Sequence, residues 1–194
     1  MTQFELFTPE TAPEDSKEAL QSTVDKYGLN LNIFAHMAQS PLPIKLYNYG
    51  QDLLNKEGTL TPEEVNLVQL AISVFNLCEF CVPAHSGAAR GTFKTDDAIV
   101  DAIRNSETVP DARIDALVTF TQILAEKRGQ VSDADTSAFL EAGFTKAQIF
   151  EVLSIVAYKT ITNYTSNIAG TKPNAELAGE TWTPNGAQQQ RAAA

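Results

Sequence analysis

The sequence predicts a single all-helical domain. Apolar residues recur at helical spacing along most of the chain, capping residues precede and follow these stretches, and alternating strand patterns of useful length are scarce. With 194 residues, 43% of them hydrophobic and 20% charged, the chain can form one sizeable core. We therefore expect one helical domain over residues 1–172 and an extended C-terminal tail over residues 173–194.

Helix boundaries in the first half are marked by capping and breaking residues. Gly28 and Gly58 follow apolar stretches in the manner of helix stops. The clearest start is Thr61-Pro62, where a capping hydroxyl precedes a proline suited to the first helical turn. The predicted helices of this half run from Glu14 to Gly28, from Ile33 to Ala38, from Ile44 to Leu54, and from Pro62 through Phe75 to the first cysteine.

The second half continues the pattern and ends in a segment with few apolar residues. Pro173 and Pro184 interrupt that last segment, so we expect an extended tail or a strap onto another subunit. The predicted helices of this half start at Cys81, at Asp96, at Asp111, at Ser132 and, as the longest, at Thr145.

The net charge and the N-terminal sequence limit the classes of partner and the cellular compartment that we expect. The formal net charge is -10, with no run of Lys or Arg, which disfavours nucleic acid and anionic membranes as partners. The N-terminus lacks a basic stretch followed by an apolar one, and no apolar run is long enough to span a membrane. We therefore expect a cytoplasmic protein.

The two cysteines and one of the two histidines form the candidate chemical centre. Cys78, Cys81 and His85 are spaced by three and then four residues, so a helix beginning near Cys78 would place all three on one face. A helix N-terminus and a neighbouring histidine both lower a thiol pKa, which favours a reactive Cys81. Cys78 would then resolve an oxidised Cys81 by forming a disulfide.

The same residues are compatible with other kinds of site. In many Cys-x-x-Cys proteins the first cysteine is the nucleophile, and two such cysteines can also be inert core residues. A zinc site needs about four ligands, and the only further histidine is His36, which we expect to be packed. No bound metal or cofactor is predicted, and Val82 after Cys81 excludes covalent c-type haem.

These residues resemble the alkylhydroperoxidase (AhpD-like) family of the carboxymuconolactone decarboxylase superfamily. The resemblance rests on Leu60–Glu64 with its following apolar helix, on Cys78-x-x-Cys81-x-x-x-His85, and on the late segment Ile161–Gly170. It implies an AhpD-like helical bundle assembled as a dimer, trimer or hexamer. It also implies peroxidase activity supported by an external dithiol, such as lipoamide on a partner protein.

The resemblance also implies residue roles, with one departure. Cys81 corresponds to the peroxidatic cysteine, Cys78 to the resolving one and His85 to a member of a proton relay. The family commonly has a glutamate twelve residues before the first cysteine, where this chain has Asn66, which cannot exchange a proton at neutral pH. Glu63, which otherwise favours the helix N-terminus, and Glu79 are the alternative relay candidates.

Three functions follow as hypotheses, beside the alternative of a non-catalytic oligomeric scaffold with inert cysteines. The first is a thiol-dependent peroxidase acting on hydrogen or organic hydroperoxides through Cys81, Cys78 and His85. The second is a dithiol-disulfide oxidoreductase or redox sensor that uses the same cysteines without peroxide turnover, which fits the missing glutamate. The third, from superfamily resemblance alone, is a decarboxylase-type lyase that would not need the thiols.

Overall fold

The computed structural model describes residues 3–193, with side chains to residue 190, and it contains helices and no strand within those residues. The predicted all-helical fold is confirmed. None of the helices described is long and apolar enough to cross a membrane. The α-helices are α1 Glu14–Tyr27, α2 Asn32–Met37, α3 Pro41–Glu57, α4 Pro62–Phe75, α5 Cys81–Ala88, α6 Asp97–Asn105, α7 Ala112–Glu126, α8 Asp133–Glu141, α9 Lys146–Ala169 and α10 Gly186–Ala193.

Helix α4 is the central element of the fold. Its start is fixed by a capping box in which Thr61 accepts from the Glu64 backbone and the Glu64 side chain accepts from the Thr61 backbone. From Glu64 to Val74 every residue is buried, because α5, α7 and α9 pack around it. One face of α4 joins the core that contains both cysteines, and the other face packs on α6.

The turn between α4 and α5 positions the cysteines. Leu77 adopts a left-handed conformation (φ 53°), and the Cys78 amide donates to the Ser73 carbonyl at 2.9 Å, which closes the end of α4. Helix α5 begins at Cys81, as predicted, so Cys78 lies in the turn before the helix and not on its face. A left-handed residue with a side chain carries strain of order 1 kcal/mol, so surrounding contacts must hold this turn.

Two asparagines of α9 supply those contacts. Asn163 is fully buried, accepts a hydrogen bond from Asn76 at 3.0 Å and donates to the Ser73 hydroxyl at 3.1 Å. Asn167 donates to the Asn76 carbonyl at 2.8 Å. The late segment recognised in the sequence therefore fixes the backbone that leads into Cys78.

The segment after residue 172 differs from the extended tail that was predicted. It forms a 3₁₀-helix, Ala175–Glu180, and then α10. Trp182 is buried against the α6 side of the core and donates to the Arg104 carbonyl at 3.1 Å. The prediction failed because a single tryptophan and a few backbone acceptors dock this segment, which a count of apolar residues does not reveal.

Candidate functional site

The two cysteines are brought together as the spacing predicted. Cys78 and Cys81 form a disulfide with their Cα atoms 5.2 Å apart. Cys81 is the first residue of α5, and its backbone amide donates to the Cys78 sulfur at 3.1 Å. Both residues are almost completely buried, at 0% and 1% exposure. Solvent molecules and substrates must therefore approach the sulfurs through an internal space.

Such a space lies against Cys81. A cavity of about 640 Å³ is lined by Cys81 and His85, whereas Cys78 is absent from its wall. Leu177 of the 3₁₀-helix contributes to the wall as well, so the C-terminal segment helps to enclose the site. Most of the other lining side chains are apolar or aromatic: Tyr27, Leu29, Leu31, Ile33, Phe34, Tyr47, Val65, Phe80, Ala84, Ala88 and Phe93.

Asn66 contacts His85 directly and determines which ring nitrogen of His85 carries the proton. The Asn66 side-chain amide donates to the His85 backbone carbonyl at 3.0 Å, so the Asn66 carbonyl oxygen faces the His85 Nδ1 at 2.8 Å. That oxygen can only accept, so Nδ1 must carry the ring proton. The Nε2 atom therefore keeps a lone pair in the neutral ring.

The electrostatics of the site keep His85 neutral. Burial, reinforced by the positive charge of Lys159, lowers the pKa of His85 well below its ordinary value. The sequence-based expectation was that His85 would add positive charge beside Cys81. A neutral imidazole adds no positive charge, but its free Nε2 lone pair is able to accept a proton.

The two glutamates considered for the relay lie elsewhere. Glu63 accepts a hydrogen bond from the Thr95 hydroxyl at 2.7 Å, and Glu79 lies 3.4 Å from the exposed amine of Lys172. Neither carboxylate lines the cavity that contains His85. Of the relay candidates, Asn66 alone is placed against the imidazole.

Lys159 is the site residue that the sequence analysis missed. It lies on α9, is only 3% exposed and lines the cavity together with Cys81 and His85. Its Nζ atom is 5.4 Å from the centre of the Tyr47 ring. Burial lowers the pKa of Lys159 to about 7. The available signal was a single lysine within the apolar stretch of the longest helix.

The second histidine is a packed residue. His36 is 7% exposed, and its Nδ1 lies 2.7 Å from the Thr171 hydroxyl, which fits the role expected for it. Among the residues whose side chains are described, no group of three His, Cys, Asp or Glu is arranged to hold a metal ion.

Comparisons with known proteins agree with the motif. A model of the carboxymuconolactone decarboxylase family matches residues 43–118, which contain α4, the cysteine turn and α5. A structure described as an alkylhydroperoxidase AhpD core, an uncharacterized peroxidase-related protein from Ralstonia eutropha JMP134, is 26% identical with a TM-score of 0.79. That match covers 94% of this chain and 97% of the other. Residues 43–118 of the chain thus resemble the carboxymuconolactone decarboxylase family, and the fold of the chain is similar to that of an AhpD core.

More distant structures share the fold alone. An uncharacterized peroxidase-related protein from Silicibacter sp. TM1040 is 21% identical with a TM-score of 0.75, covering 92% of this chain and 94% of that one. The debrominase Bmp8, in complex with 2,3,4-tribromopyrrole, is 12% identical with a TM-score of 0.73, covering 93% and 96%. No curated protein sequence matches the chain significantly.

Proposed function

We propose that this AhpD-like protein is a thiol-dependent peroxidase that reduces hydrogen or organic hydroperoxides, with Cys81 peroxidatic and Cys78 resolving. The observation that carries the proposal is the asymmetry of the two sulfurs. Cys81 lines the cavity beside His85, whereas Cys78 lies behind it and is within bonding reach of Cys81. A peroxide in the cavity would therefore meet Cys81 first.

The chemistry follows in three balanced steps. His85 Nε2 takes the proton of the Cys81 thiol, and the thiolate attacks the distal peroxide oxygen, so that the O–O bond breaks and the alkoxide leaves as an alcohol with that proton. The resulting sulfenic acid is attacked by Cys78, which forms the disulfide and releases water. An external dithiol then reduces the disulfide and is itself oxidised.

The electron donor and the assembly are part of the same proposal. A lipoamide-like dithiol on a long flexible arm suits a sulfur that is reached only through a cavity, and the reducing cytoplasm is the compartment expected to supply it. A homo-oligomer is supported by exposed apolar residues at helical spacing on α3, and by more on α9. They are Leu42, Leu46, Tyr49, Leu53, Phe150, Leu153, Tyr164 and Ile168.

The test is peroxide consumption with a dithiol donor, using hydrogen peroxide and cumene hydroperoxide. Cys81→Ser should abolish turnover, because no sulfenic acid can form. Cys78→Ser should consume about one equivalent of peroxide and leave a sulfenic acid on Cys81 that a 1,3-diketone traps. Full activity in Cys81→Ser, or trapping at Cys78 in the wild type, would contradict the assignment.

A dithiol-disulfide oxidoreductase or redox sensor is the second candidate. Asn66 favours it, because an amide holds His85 in place but cannot take up a proton. This candidate predicts rapid disulfide exchange with a dithiol and negligible peroxide turnover by the reduced protein. The debrominase neighbour shows that the fold alone does not decide the chemistry, so peroxide consumption itself must be measured.

A further inference from the structure

The cavity is much larger than hydrogen peroxide requires. A water molecule occupies about 30 Å³, so a molecule with two oxygen atoms would fill a small part of about 640 Å³. The volume falls in the range of about 300–1,000 Å³ that is common for small-molecule sites with mainly apolar walls. The apolar lining favours a substrate with a hydrocarbon or aromatic body.

The charges on the cavity wall have one sign, although the protein is acidic. Asp and Glu outnumber Lys and Arg by 24 to 14 in the chain, yet no carboxylate belongs to the cavity lining within the part of the chain that the structure describes. The charged side chains of the lining are Lys26 and Lys159. Lys26 pairs with Asp52 at 2.8 Å, so its charge is already compensated.

Lys159 has no such compensation. Among the described side chains, none forms a hydrogen bond or ion pair with Nζ, which lies 5.4 Å from the centre of the Tyr47 ring. Several other polar groups of the wall have partners: Asn66 is bonded to His85, and Gln69 donates to Gln51 at 2.8 Å. A buried cation without a partner is costly unless an anion joins it.

We infer that the substrate of this cavity carries a carboxylate, or a similarly compact anion, on an apolar body, and that Lys159 pairs with the anion. The inference deepens the proposed function by defining the hydroperoxide class as acidic organic hydroperoxides. The anion would also keep Lys159 protonated, which burial by itself disfavours. Lys159 is thus a specificity-determining residue.

The binding test uses decanoate and decan-1-ol, which share an apolar chain and differ at the head group. Titration calorimetry on the oxidised protein at pH 6.5 should show decanoate bound at least about tenfold more tightly than the alcohol. In Lys159→Met the two affinities should become equal. Lys56→Met, which removes a positive charge from a side chain that is 79% exposed, should keep the preference.

Two results would overturn the inference: equal affinities in the wild type, or a preference that persists in Lys159→Met. Circular dichroism establishes whether the variant folds, and Lys159→Gln replaces it if it does not. If neither variant folds, the wild-type preference alone decides.

A catalytic arm separates this inference from the proposed function. The wild type should turn over a fatty-acid hydroperoxide with a higher kcat/KM than its methyl ester, and Lys159→Met should lose that ratio through KM. Decanoate preference without peroxide turnover would remove the peroxidase proposal and leave the anion site. Turnover of cumene hydroperoxide without any preference for anions would remove the anion site and leave the peroxidase.

Discussion

Arg104 and Lys159 are both largely buried cations, but only one of them is bonded. The Arg104 side chain, 13% exposed, donates to the Ser86 hydroxyl at 2.8 Å and to the Thr181 carbonyl at 2.9 Å, and it shares Glu180 with Arg90. Lys159, on the cavity wall, has a ring face beside it and no anion. The bonds of Arg104 to Thr181 and Glu180 attach the C-terminal segment to the core, and we call this group of contacts the clamp.

The difference between the paired Arg104 and the unpaired Lys159 indicates which of the two regions binds a ligand. A buried charge that is paired stabilises the fold, so its removal should lower the free energy of unfolding. A buried charge without a partner destabilises the folded chain. It therefore indicates a site where a ligand of opposite charge binds. The two regions should therefore respond in opposite ways to substitution.

The largest effect is expected at His85, on the cavity side. His85→Gln removes the Nε2 lone pair that accepts the Cys81 proton, so kcat/KM for peroxide should fall about 100-fold to 1,000-fold. The free energy of unfolding should change little, because His85 forms one side-chain hydrogen bond, to Asn66. Steady-state kinetics and urea unfolding measure the two quantities. Unchanged turnover would show that His85 takes no part in the reaction.

The next effect is expected on the clamp side and concerns stability. Arg104→Met removes the donor to the Ser86 hydroxyl, which is fully buried, and to the Thr181 carbonyl. It also removes the ion pair between Arg104 and Glu180. The free energy of unfolding should fall by about 2–3 kcal/mol. Peroxide turnover well below the unfolding temperature should be largely kept. A variant as stable as the wild type would mean that the clamp is redundant.

A smaller effect is expected at Asn66. Asn66→Ala removes the acceptor that fixes the His85 tautomer, so kcat should fall about tenfold with little change in KM. Asn66→Asp keeps the acceptor and adds a negative charge, which should raise the pKa of His85. The pH profile of kcat/KM for the three proteins distinguishes positioning from general loss of structure. Equal profiles would contradict a positioning role.

The sequence predicted the parts of the site that are local along the chain. Cys78, Cys81 and His85 lie within eight residues, so helical spacing alone relates them, and strong caps such as Thr61 locate the helix that precedes them. The start of α5 at Cys81 was predicted, but the left-handed turn at Leu77 before it was not, because leucine is not a residue type that indicates such a turn.

The parts that depend on distant packing were not predictable. Lys159 joins Cys81 on the cavity wall only because α9 packs against α4 and α5, about eighty residues away in sequence. Trp182 finds its place by the same kind of contact with α6. A lysine in an apolar helix and a tryptophan in a polar tail both indicate a tertiary contact. Neither indicates which residue is contacted.

The smallest effect, and the one most specific to the unpaired cation, is a pH dependence of stability. The pKa of Lys159 is about 7 in the folded chain and near 10.5 in the unfolded one, so between these values the unfolded chain binds more protons. Stability contributed by this residue therefore rises as pH rises through 7 and is lost as pH falls. Relative to Lys159→Met, the wild type should gain about 1 kcal/mol between pH 7 and pH 8. Urea unfolding at the two pH values measures this gain, Lys56→Met should match the wild type, and a flat difference would show that Lys159 titrates normally.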